Sequence, residues 1–74
     1  SLEQLSIYPN PASDLLHIDA HFQIEKITIY NTLGKLVLTQ SANPSIEISH
    51  LPNGIYFLEI FAEGTRTIKR FIKN

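Results

Sequence analysis

Two imidazoles and a carboxylate fall within one short stretch, His17-Ile18-Asp19-Ala20-His21, and all three side chains are acceptable zinc ligands. Spacing argues against a metal. In an extended segment His17 and His21 stand about 13 Å apart at roughly 3.3 Å per residue, and one ion with ligand distances of about 2 Å cannot join them. A solvated strand face accounts better for the pattern. His50 stands alone beside a turn, where a surface position is expected. Ser, His and Asp all occur, but no G-x-S-x-G elbow is present to raise a nucleophile, and a triad also needs an oxyanion hole and a cleft. The carboxylates Glu3, Asp14, Asp19, Glu25, Glu47, Glu59 and Glu63 are scattered singly, so no acid–base pair can be chosen from them. The three glycines are too far apart for a phosphate loop. The absence of Cys removes thiolate metal sites and disulfides. No enzyme, metal or cofactor is expected.

The basic residues are distributed unevenly. Arg66, Lys69, Arg70 and Lys73 place four of the six within the last nine positions, with Phe71 among them. Cations interleaved with an aromatic suit single-stranded nucleic acid. A formal net charge of -1 lacks the basic surplus of such modules, so nucleic acid is not an expected partner. The plainer reading is an edge strand blunted with Lys and Arg against sheet-to-sheet pairing. A terminus read by another protein would look the same by charge.

These residues must be positioned by a small scaffold. A length of 74 residues allows one domain. Leu, Ile, Val and Phe supply 25 of the 74, which with the weak net charge argues against disorder. Chains of this size bury only about 60–65% of their unfolded surface, so the core is thin. The lack of Met, and hence of an initiator, predicts a fragment or a processed piece. No apolar run approaches the roughly 20 residues of a membrane span, and no signal-peptide pattern opens the chain.

Eleven Ile, five Thr and seven aromatics favour strands. Leu5 to Tyr8 leads into Pro9-Asn10-Pro11, a turn of residues poor at sheet pairing. Period-two alternation marks strands around Leu16 and Ile18, Ile27 and Ile29, and Ile46 and Ile48. Asn31-Thr32-Leu33-Gly34 signals a turn before a strand over Lys35 to Thr39. Pro52-Asn53-Gly54 reads as the strongest turn, with positive φ expected at both Asn53 and Gly54. Ile55 to Ala62 carries Tyr56, Leu58 and Ile60 on one face and Ile55, Phe57 and Phe61 on the other, which predicts a central strand covered on both sides. Glu63-Gly64 turns the chain into a last strand, Thr65 to Lys73. That strand has no clean inner face, since Ile68 and Ile72 fall with Arg70 while Phe71 falls with Thr67, Lys69 and Lys73. A bulge or a covered edge is therefore expected. Seven strands at such spacing, with no helical periodicity, predict an all-β, two-layer antiparallel sandwich with Greek-key links.

The punctuation also follows a family pattern. Ile7-Tyr8-Pro9-Asn10-Pro11-Ala12-Ser13, followed by Leu16 and Ile18, resembles the "YPNP" opening of the type A C-terminal sorting domains of the type IX secretion system. Ile27 to Val37 resembles that family's "iyn-x-x-Gk-v" segment, and Ile48 to Leu58 its "L-x-x-G-x-Y" segment. Lys69-Arg70-Phe71-Ile72-Lys73 resembles its basic-apolar-apolar-Lys close, with Arg70 where Lys is common and Asn74 beyond the final Lys. The four segments occur in the family's order and span nearly the whole chain.

The resemblance implies an immunoglobulin-like antiparallel β-sandwich that is a signal and not a catalyst: residues 1–74 as one sorting domain, carried on a larger exported protein of the Bacteroidota. It implies transit through the periplasm, recognition by the type IX translocon, and delivery of cargo across the outer membrane to the cell surface or beyond. It also implies removal of the domain by a sortase-like cysteine peptidase. Matched position by position, Pro9, Asn10 and Pro11 shape the first turn, Gly34 and Gly54 later ones, and Tyr56 anchors the core. Arg70, Phe71, Ile72 and Lys73 are the expected recognition residues, and an exposed last edge would suit contact by strand addition. The alternative is an immunoglobulin- or fibronectin-like accessory module, a spacer or carbohydrate binder beside an extracellular enzyme. A row of exposed aromatics would favour it, whereas Tyr8, Tyr30 and Tyr56 fall in separate strands.

Overall fold

A computed structural model describes residues 5–74; of the seven carboxylates, Glu3 lies outside the described residues. Seven strands follow in order: β1 (Ser6–Tyr8), β2 (Leu15–Asp19), β3 (Lys26–Asn31), β4 (Leu36–Ser41), β5 (Ser45–Glu47), β6 (Gly54–Ala62) and β7 (Thr65–Lys73). They form two sheets, β1-β2-β5 and β4-β3-β6-β7, and every pairing between strands is antiparallel. The neighbours β2 and β5, and β3 and β6, are not consecutive. The chain crosses between sheets after β2, β4 and β5, which gives the interlocked connections of a Greek-key sandwich.

Alternation builds the core directly. Leu16, Ile18 and Ile46 point inward from the three-stranded sheet, and Ile27, Ile29, Tyr56, Leu58, Ile60 and Phe71 from the four-stranded one. Tyr56, near the start of β6, donates its hydroxyl to the Pro52 carbonyl at 2.6 Å. This is the corner arrangement of immunoglobulin-like sandwiches, in which a tyrosine ties its strand to the preceding crossover.

The turns differ in one respect from the sequence reading. Asn53 has no positive φ, and Gly54 sits at φ +152° where the chain arrives from the opposite sheet, so Pro52-Asn53-Gly54 is part of a crossover and not a tight hairpin. The paired positive angles lie instead at Glu63 (φ 53°) and Gly64 (φ 72°), the two residues joining β6 to β7, as a two-residue hairpin matching the strand twist requires. At the β3–β4 hairpin, Asn31 Oδ1 accepts from the N–H groups of Leu33 (2.9 Å) and Lys35 (3.0 Å), and Gly34 takes φ +82°.

β6 is central, hydrogen-bonded to β3 and β7, but only one of its faces is covered. Tyr56, Leu58, Ile60 and Ala62 are buried, while Ile55 and Phe57 on the opposite face remain exposed. The second apolar face therefore does not mark a third layer.

Candidate functional site

The strand carrying the basic cluster pairs with β6 over nine consecutive positions without a register shift. No bulge resolves its mixed pattern; a covered edge does. Its inner row is Thr67, Lys69, Phe71 and Lys73, and its outer row Arg66, Ile68, Arg70 and Ile72. The inner row fails to look apolar because its outer end lies at the sandwich rim and only Phe71 and Lys73 are buried.

The cover comes from the opening motif. Ala12 N–H donates to the Ile72 carbonyl (2.8 Å), and Asn74 N–H donates to the Ala12 carbonyl (2.8 Å), forming a short parallel bridge. Asn10 adds its side chain: Oδ1 accepts from Ile72 N–H at 3.0 Å, and Nδ2 donates to the Arg70 carbonyl at 3.4 Å. Pro9 and Pro11, each following a cis peptide bond, flank this contact. The first and last motifs, some sixty residues apart in sequence, thus form one structural unit. The free edge available for strand addition is correspondingly short, because the outward backbone groups from the Arg70 carbonyl to the Asn74 N–H already have partners.

The four expected recognition residues divide by alternation. Phe71 is fully buried, its ring 5.6 Å from that of Tyr56 and nearly parallel. Lys73 is buried too, with Nζ 3.4 Å from Asn53 Oδ1, so its charge is held at the β5–β6 crossover. Arg70 is exposed and Ile72 partly so, both on the outer face of the four-stranded sheet.

That outer face joins residues that the sequence reading did not connect with one another. Strand register places Ile55 beside Ile72, Phe57 between Tyr30 and Arg70, and Glu59 between Thr28 and Ile68. Glu59 is buried even here. It accepts a hydrogen bond from the Thr28 hydroxyl (3.0 Å) and pairs with Arg66 (3.0 Å). Lys26 lies over the Phe61 ring, 5.4 Å from its centre. The available signal was the second apolar row of β6, which the sequence reading assigned to a covering layer.

The histidines show no assembled chemistry. His17 Nδ1 lies 3.1 Å from Ser45 Oγ, its cross-strand partner, and the imidazole stacks on Tyr8 with centres 5.3 Å apart. This is a cross-strand contact on the outer face of the small sheet. Neither of two shallow clefts, one lined by Ile18, Asp19, Phe22 and Pro44 and the other by Glu25, Lys26 and Gln40, includes His17 or Ser45. His21 lies beyond the end of β2 and is exposed. His50 is exposed and faces Glu47 at 3.8 Å. Among the described residues, no group of three or more His, Asp or Glu side chains could hold a metal ion, and no helix is long and apolar enough to cross a membrane.

Two interlocked antiparallel sheets, a tyrosine corner and a covered last edge define an immunoglobulin-like β-sandwich module. Residues 6–74 match the family described as "Secretion system C-terminal sorting domain". The chain belongs to that family, the C-terminal sorting domains of type IX secretion. It is also similar to Beta-agarase D of Zobellia galactanivorans, with 37% identity over 71 residues. The match covers 95% of this chain but only 15% of the agarase.

Proposed function

We propose that residues 1–74 act as a folded export signal, carried on a larger cargo protein and read by the type IX translocon in the outer membrane. Membership of the sorting-domain family over residues 6–74 is the observation that carries this reading. The small share of the agarase that the chain spans is consistent with a module attached to a much larger protein. On this reading the cargo crosses the periplasm, leaves through the outer membrane, and loses the domain to a sortase-like cysteine peptidase. Cargo activity resides outside these residues.

The recognition role is assigned to the last motif as a unit. Arg70 and Ile72 offer exposed surface, while Phe71 and Lys73 fix the strand from inside. Pro9, Asn10 and Pro11 hold its edge, and Gly34, Gly54 and Tyr56 shape the scaffold. The test is a reporter with its own secretory signal, fused ahead of residues 1–74 and expressed in a type IX-competent bacterium and a matched strain lacking the translocon. Reporter outside the first strain and retained in the periplasm of the second is the expected result. Retention in both, with the domain folded, overturns the reading.

A further inference from the structure

The outer face of the four-stranded sheet is apolar where a sandwich normally meets water. Leu36 is 48% exposed, Ile55 40%, Phe57 36% and Ile68 53%, and Tyr30 and Ile72 lie between them in register. These side chains come from all four strands and form one contiguous patch, the kind of surface that marks an interaction site. Its composition, with aromatic and branched anchors beside arginine, resembles the energetic centre of protein interfaces.

Charge indicates what covers the patch. The strands of this face contribute three cations, Lys26, Arg66 and Arg70. Their one carboxylate, Glu59, is buried and already bound by Thr28 and Arg66. Glu25 and Glu63 lie at the far end by the β6–β7 turn, where the Glu25 carboxylate accepts from Glu63 N–H at 3.2 Å. Arg70, beside Phe57 at the other end, has no acidic neighbour within salt-bridge distance among the described residues. The whole chain nevertheless has net charge -1, so positive charge is concentrated on this face. A second copy docking through the same face would set cations against cations. A mixed aliphatic and aromatic surface is also less suited to a sugar than a flat aromatic platform would be.

We propose that the outer face of β4-β3-β6-β7, centred on Phe57, Ile68 and Arg70, docks onto an acidic protein surface bearing apolar side chains. This rests on the sorting reading, since the partner would belong to the export machinery. It differs from strand addition because side chains on the sheet face make the contact while the C-terminal end of the β7 edge stays closed by Asn10 and Ala12.

The experiment uses the reporter carrying residues 1–74 in the competent strain. Phe57→Thr, Ile68→Thr and Arg70→Glu are compared with Arg70→Lys and with Leu15→Thr, which alters an exposed leucine on the other sheet. Each of the first three is expected to lower exported reporter about tenfold, as for truncation of an interface anchor, with the thermal midpoint of the domain held near wild type. Leu15→Thr is expected to export normally, and Arg70→Lys, which keeps the charge but not the guanidinium, to lose less export than Arg70→Glu. A photo-crosslinking residue at position 68, but not at position 15, is expected to capture an acidic export component identified by mass spectrometry. Arg70→Glu should abolish that adduct.

Normal export of all three variants overturns the proposal while leaving the sorting reading intact. An adduct with a second copy, with lipid or with glycan also overturns it. If the wild-type reporter is retained in both strains, the sorting reading fails. The docking proposal, whose partner belongs to the export machinery, then fails with it.

Discussion

Asn10 holds Ile72 from across the chain, its Oδ1 accepting the Ile72 N–H at 3.0 Å while its Nδ2 reaches the Arg70 carbonyl at 3.4 Å. A strand edge offers outward N–H and C=O groups at alternate residues, and an Asn side chain in a turn can satisfy one of each. This gives the opening motif a physical task. It closes the end of the last strand against adventitious pairing and fixes the position from which Arg70 and Ile72 project.

Asn10→Ala is therefore expected to destabilise the domain by about 1–2 kcal/mol, one good hydrogen bond and one long one. Urea denaturation checks the magnitude. Amide exchange checks the place, because protection should fall at Ile72 more than at Leu58 in the middle of β6. Asn10→Asp keeps the acceptor for Ile72 N–H and should recover part of that protection.

Tyr56 combines two contributions that substitutions can separate. Tyr56→Phe removes only the hydroxyl bonded to the Pro52 carbonyl and is expected to cost about 1 kcal/mol. Tyr56→Ala also removes a buried ring stacked on Phe71, with an expected cost of about 3–5 kcal/mol. At about 4–8 °C per kcal/mol for a domain of this size, thermal melts resolve the two.

The strands were legible in the sequence because period-two alternation is local: Leu16 and Ile18, Ile27 and Ile29, and Ile46 and Ile48 all fall on the inner face. The site was less legible because its parts are joined by register and not by sequence. Nothing near Asn10 states that it meets Ile72, and nothing near Phe57 states that Tyr30 and Arg70 flank it. Local pattern also misled at Asn53-Gly54, where the dipeptide favours a tight hairpin but the two strands it joins lie in different sheets. Likewise the second apolar row of β6 indicated large side chains without indicating whether they face a protein layer or open surface. The mixed row of β7 required knowing that Lys73 could be buried at the rim beside Asn53.

Glu59 and Arg66 form an asymmetric pair, with the carboxylate side chain 8% exposed and the guanidinium 61%. Among the described residues, removing the arginine leaves the buried partner only the Thr28 hydroxyl. Arg66→Ala is expected to cost about 1–2 kcal/mol, below the value for a fully buried pair because water can approach from the arginine side. In a Glu59→Gln background the same substitution should cost a few tenths of a kcal/mol. Denaturation of the four proteins of this double-mutant cycle measures the coupling; equal costs in both backgrounds would show that the contact contributes nothing.

Arg70 and Phe71 are adjacent in sequence and opposite in role, which allows export and folding to be tested apart. Phe71→Ala deletes a fully buried ring and is expected to cost about 3–5 kcal/mol. A chain of 74 residues has a total stability of only about 4–11 kcal/mol, so this variant should be largely unfolded or melt far below wild type. Any export defect would then report the fold. Arg70→Ala alters an exposed side chain, so stability is expected to move by no more than about 0.5 kcal/mol. If the last motif is read as a surface, Arg70→Ala should reduce export at an unchanged melting temperature. Normal export by Arg70→Ala, alongside failure of Phe71→Ala, would mean that the basic-apolar close serves the fold alone and that the machinery reads another part of the sandwich.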